Sequence, residues 1–138
     1  MLLSAARSGD KNAYLNLGYA YDAGLGVRRS RRKAIRWYLR SVAAGEASGA
    51  NNLATIYRDR GDVPRTVRWL RKAIELGDSG AHLLLGQILL GHNHSPKEAL
   101  ASFRAVGPDA CQADVEAADI WQATAESMVA LEVVEARS

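Results

Sequence analysis

The feature that most narrows what this chain can fold into is an internal echo at an offset of 32 residues. Val67-Arg68-Trp69-Leu70-Arg71-Lys72-Ala73-Ile74-Glu75-Leu76-Gly77-Asp78 follows the pattern of Ile35-Arg36-Trp37-Tyr38-Leu39-Arg40-Ser41-Val42-Ala43-Ala44-Gly45-Glu46. Eight residues beyond each closing glycine stands a leucine followed by a small residue, Leu53-Ala54 after Gly45 and Leu85-Gly86 after Gly77. Leu17-Gly18 stands at the same distance after Gly9, and Ala99 and Phe103 match Ala34 and Tyr38. Repetition at this period is the mark of a helical-hairpin array, in which stacking neighbours bury a face that one unit cannot bury alone.

Each unit reads as two helices. In the first, Ala13, Leu17, Ala20 and Tyr21 at helical spacing predict a helix over Lys11–Ala23, ended by Gly24-Leu25-Gly26-Val27. A second helix is predicted over Ser30–Ala44, presenting Ala34, Trp37, Tyr38 and Ser41 to its partner. Gly18, with Ala54 and Gly86 as its counterparts, is small enough to admit a neighbouring helix closely. The next unit is predicted over Ala50–Arg60 and Val63–Leu76, with Pro64 suited to a first turn. The third is predicted over Ala81–Leu90 and Pro96–Val106, with Ser95 as cap. Gly107-Pro108 breaks the chain, and the stretch to Ser138 without Gly or Pro predicts one long helix or two tightly joined. Ala117, Trp121, Thr124, Met128 and Leu131 fall on one of its faces, which marks it as a terminal cap. The expectation is a single all-α domain over 1–138, with repeats near 11–46, 47–78 and 79–107 and a capping helix near 109–136. Leu2–Ser8 reads as half a hairpin, so the chain is expected to be part of a longer array or to self-associate.

These residues resemble the Sel1-like repeat family, relatives of the tetratricopeptide repeats. The likeness is carried by Ala13, Leu17-Gly18, Tyr21 and Gly24-x-Gly26-Val27, continuing through Ala34, Trp37-Tyr38 and Ala43-Ala44-Gly45. The second unit departs from it: its loop lacks Gly-x-Gly and Thr66 replaces the small alanine. The third has no tryptophan. The resemblance covers roughly residues 4–107. It implies a right-handed α/α superhelix of about three hairpins serving as a scaffold or adaptor, commonly in bacteria, with structural rather than catalytic motif residues.

Charge is divided unevenly. The net +3 conceals 17 Lys+Arg against 8 Asp+Glu over residues 1–107, and one against seven over 108–138. Arg28, Arg29, Arg31, Arg32, Lys33, Arg36 and Arg40 place seven cations within 13 residues. Such a run suits nucleic acid or an anionic surface. A solvated helix face, or a dock for the acidic tail, is the plainer reading, because Trp37 and Tyr38 are assigned to the core and leave no stacking platform there. Nucleic acid is therefore the alternative partner rather than the preferred one.

No catalytic constellation emerges. His92 and His94, with His82 one helix away, lack further ligands at metal spacing. Cys111, the single cysteine, has no paired histidine in view and excludes an internal disulfide framework, which fits a reducing, cytoplasmic setting. Gly24-Leu25-Gly26 is too short for a phosphate loop and follows a helix. No apolar run reaches the ~18 residues of a membrane span. The expectation is a non-enzymatic chain without cofactor or metal that binds another protein or peptide along its concave face. The first helix of each unit lines that face, through Asn16 and Tyr19, then Asn52 and Thr55, then Leu84 and Gln87.

Overall fold

A computed structural model describes residues 11–91, 96–106 and 110–137. They form α1 (Lys11–Ala23), α2 (Arg31–Ala43), α3 (Ala47–Asp59), α4 (Val63–Glu75), α5 (Ala81–Gly91), α6 (Pro96–Arg104) and α7 (Gln112–Arg137), with no strand among the described residues. The expectations for Leu2–Ser8, His92, His94, Ser95 and Gly107-Pro108 fall outside the described residues. By contact density the chain divides into two compact units, residues 1–78 and 79–138.

In the first unit, α1 packs on α2, α2 on α3, and α3 on α4. Ser30 caps α2 by accepting from the Lys33 amide at 3.3 Å, and Asp62 caps α4 by accepting from the Arg65 amide at 3.1 Å. Ala34, Tyr38, Leu53 and Ile56 form the centre of its core, with Trp69 and Val42 packed at the edge. A second cluster joins Ala13 and Leu17 to Tyr14, Tyr21 and Trp37. The α1–α2 contact depends on glycine. A Cβ on Gly18 would stand 2.5 Å from Cδ1 of the fully buried Tyr38 ring, closer than packed carbons approach.

The second unit packs α5 on α6 and α6 on α7, with a lesser contact between α5 and α7. It repeats the same device, since a Cβ on Gly86 would stand 2.5 Å from Cε1 of the buried Phe103. Helix α7 is continuous, and it seats on the hairpin through Ala118 and Ala125, both buried, and through Trp121, whose ring stacks on Phe103 at 6.1 Å. The expected contact stripe is therefore corrected. Trp121 belongs to it through that stacking, although 37% exposed, and Ala117 is half-buried, but Thr124, Met128 and Leu131 stay exposed, and the buried positions are the two small alanines. Small residues at those positions let two helices approach closely.

Candidate functional site

The six positions expected to line a binding face occur as i, i+3 pairs, so each pair shares a face of its helix. On α1, Asn16 and Tyr19 are exposed, Tyr19 by 56%. On α3, Asn52 and Thr55 are half-buried, and the Thr55 hydroxyl donates back to the Asn51 carbonyl oxygen at 3.1 Å. On α5, Leu84 and Gln87 are half-buried. Asn51, which sequence reasoning passed over, donates from Nδ2 to the Asp78 carboxylate and ties α3 to the end of the first unit. Its only sequence signal was its place beside Asn52.

The basic run resolves into two groups. Four of its members are engaged locally, Arg40 among them through the Trp37 ring. Arg31 bridges two acids, reaching Asp22 at 3.4 Å and Asp59 at 2.8 Å, and the hydrogen bond to Asp59 chiefly raises its pKa above the ordinary arginine value. Arg29 Nε donates to the Asp22 carbonyl oxygen at 2.8 Å, and Lys33 Nζ lies 5.5 Å from the centre of the Tyr21 ring. Asp22 also accepts from the Tyr38 hydroxyl at 3.3 Å. Burial, with the Asp22 charge behind it, pushes the Tyr38 phenol well above its usual range. Sequence reasoning gave Asp22 no role, because nothing local marks a carboxylate that serves both Arg31 and Tyr38 from another helix.

Arg28, Arg32 and Arg36 are exposed and make no ion pair among the described residues. Here the structure corrects a second expectation. Tyr38 is fully buried, but Trp37 is only half-buried, so an aromatic surface does lie within the basic face. The Trp37 ring stacks on Tyr14 at 6.2 Å and carries the Arg40 guanidinium at 4.7 Å. It lines a cavity of about 460 Å³ with Tyr21, Lys33, Arg36, Leu39 and Arg40. Trp69 occupies the matching place on α4, in a cavity of about 360 Å³ with Val42, Arg68, Arg71, Lys72 and Glu75.

The residues with reactive potential do not converge on either surface. His82 lies on α5, half-buried, and Cys111 is exposed just before α7. Among the described residues, no three of His, Cys, Asp or Glu gather as metal ligands, and no helix is long and apolar enough to cross a membrane.

Comparison with known proteins fixes the family. Residues 11–46 and 47–78 each match the Sel1 repeat. The chain belongs to the Sel1-like repeat family. It is similar in structure to a protective antigen of uropathogenic Escherichia coli displaying an SLR fold, at 25% identity and a TM-score of 0.72. That likeness covers 90% of this chain and 32% of the antigen's. A Sel1 repeat protein from Oxalobacter formigenes shares the fold at 23% identity and a TM-score of 0.65, over 76% of this chain and 45% of its own. In sequence, DAP3-binding cell death enhancer 1 of Rattus norvegicus is 36% identical over 53 residues, which are 38% of this chain and 10% of the rat protein. The chain thus spans less than half the length of these relatives. As a Sel1-like repeat protein it joins a family whose helical repeats generally serve as scaffolds for protein interactions.

Proposed function

We propose that this chain is a scaffold or adaptor that holds a partner protein or peptide on the concave side of its hairpins. The supporting observation is the character of the first helices of the repeats. In residues 1–78, Asn16, Tyr19, Asn52 and Thr55 combine amide, hydroxyl and aromatic groups without a net charge. Leu84 and Gln87 hold the matching places on α5. Such a set recognises a peptide by hydrogen bonds to its backbone and by contact with a rigid ring, as favourable interfaces do. The extended array of a repeat fold supplies room for it.

The test is a comparison of two baits. The unaltered chain and a Tyr19→Ala/Asn52→Ala variant are used in parallel affinity purifications at ~150 mM salt, near physiological screening. The reading expects one protein captured in stoichiometric amount by the unaltered chain, and at least ~10-fold less by the variant, since aromatic anchors carry much of an interface's energy. Equal capture by both baits moves the binding surface elsewhere and ends this proposal.

A further inference from the structure

The cationic, tryptophan-floored face of α2 and α4 takes no part in the concave-side reading, and its chemistry points to an occupant of its own. The two helices carry the same arrangement at the 32-residue offset: Arg36 beside Trp37 with Arg40 one turn on, then Arg68 beside Trp69 with Lys72 one turn on. Each tryptophan packs against the core and also lines a cavity. Arg36, Arg68 and Arg71 are exposed and have no carboxylate partner among the described residues, although Lys72 reaches Glu75 at 3.6 Å. A surface of this kind accepts a segment that brings apolar anchors for the cavities and carboxylates for their rims.

Helix α7 is such a segment. It buries Ala118 and Ala125, while Ile120, Leu131 and Val134 stay 69%, 60% and 64% exposed. These three lie along one line of the helix, with Ser127 between them, at successive spacings of seven, four and three. Asp119 and Glu132, also exposed, stand next to Ile120 and Leu131. The charge of the whole chain is split in the same sense. Residues 1–78 hold 15 Lys+Arg against 7 Asp+Glu, and residues 79–138 hold 3 against 8. We propose that the strip formed by α2 and α4 docks the acidic helix α7 of a second copy of this chain, joining copies head to tail. Ile120, Leu131 and Val134 enter the apolar floor around Trp37 and Trp69, and Asp119 and Glu132 meet Arg36, Arg68 and Arg71. Strip and helix are different surfaces, so the contact is heterologous, and a second copy leaves one strip and one helix for the next.

Light scattering on the full chain reads this directly. In ~50 mM salt the mass should rise above the 14.9 kDa monomer as concentration increases, and it should fall back in ~500 mM salt, where screening shortens the reach of the rim charges. Arg36→Glu/Arg68→Glu on the strip, and Asp119→Lys/Glu132→Lys on the helix, should each weaken association at least ~10-fold. All four positions are exposed, and circular dichroism checks that each variant keeps its helices. Should the glutamate pair disturb folding, Arg36→Gln/Arg68→Gln removes charge without reversing it and should weaken association in the same direction. The decisive sample is an equimolar mixture of the two reversed variants. Intact α7 from one meets the intact strip of the other, so association should return. A chain that is monomeric at every concentration in low salt overturns the proposal, as does a mixture that stays monomeric. Saturable binding of an oligonucleotide to Arg36, Arg68 and Arg71 without self-association gives the strip to nucleic acid and also overturns it. None of these readouts depends on Tyr19 or Asn52, so failure here leaves the concave-side reading standing.

Discussion

At the scale of single residues, the repeat is kept by matched sizes rather than by fixed identities. Gly18 faces Tyr38 and Gly86 faces Phe103, each too close for a Cβ. At the corresponding positions of the second repeat stand Ala54 and Leu70, both fully buried, so a methyl added on one helix accompanies a ring removed from the other. Gly18→Ala should therefore destabilise the chain by about 1–2 kcal/mol, since overpacking against an immobile ring outweighs the ~1 kcal/mol of helix propensity that alanine gains. Adding Tyr38→Leu should return part of that loss, giving a favourable coupling in a double-mutant cycle read by urea denaturation. Additive losses would show that the two positions are not matched. The Tyr38 phenol itself predicts a pH effect. Its folded pKa lies above the ordinary value near 10, so from about pH 10 upward the unfolded chain loses this proton while the folded chain keeps it. Stability from this group is complete below pH 10 and is lost as pH rises beyond it. Between pH 9 and 11 the melting temperature should drop by a few degrees more in the unaltered chain than in Tyr38→Phe, the size of shift that ~1 kcal/mol produces. Parallel curves for the two proteins would remove the phenol as the cause.

At the scale of elements, what could be read from sequence was set by how much of each helix is decided locally. α1, α4 and α5 begin where they were expected, and α2 begins one residue past its expected start, because Ser30, Asp62-Val63-Pro64 and the glycine loops carry their own termination chemistry. α3 begins at Ala47, three residues before its expected start. Glu46 occupies its N-cap without a side-chain hydrogen bond, and Gly49 weakens the helical pattern, so no local mark reveals the first turn. Gly49 is there for a tertiary reason: a Cβ on it would stand 2.9 Å from Ser41 Oγ and from the Tyr38 carbonyl oxygen. The buried face of α7 differs from the expected one for a related cause. Hydrophobic spacing favours the large residues Met128 and Leu131, whereas the residues of α7 that are buried are Ala118 and Ala125. The candidate surfaces followed the same division. The cations of Arg28–Arg40 are plain in the sequence, yet which of them are engaged is decided by Asp22 and Asp59, from other elements. That Trp37 is only half-buried, beside a cavity, does not show in the sequence, because a tryptophan at a recurring position reads as wholly buried.

At the scale of the molecule, the two units differ in how their helices are held. In residues 1–78 each helix from α2 to α4 contributes fully buried side chains, including Tyr38, Leu53, Ile56 and Leu70. In residues 79–138 the longest helix, α7, contributes only Ala118 and Ala125 as buried residues across its 26 positions. Repeat proteins gain stability from interfaces between neighbouring helices, so a helix that buries few side chains loosens at lower stress than one that buries many. Tryptophan fluorescence separates the two, because Trp37 and Trp69 lie in the first unit and Trp121 in the second. Trp121→Phe leaves a reporter of residues 1–78, and Trp37→Phe/Trp69→Phe leaves a reporter of residues 79–138. Followed in urea, the Trp121 signal should reach its midpoint at a lower concentration than the Trp37/Trp69 signal, with a smaller slope, since less surface becomes exposed. Circular dichroism on the unaltered chain should then show a transition broader than either fluorescence curve. Coincident midpoints and slopes from all three signals would mean that the chain unfolds in one step, with α7 held as firmly as the repeats before it.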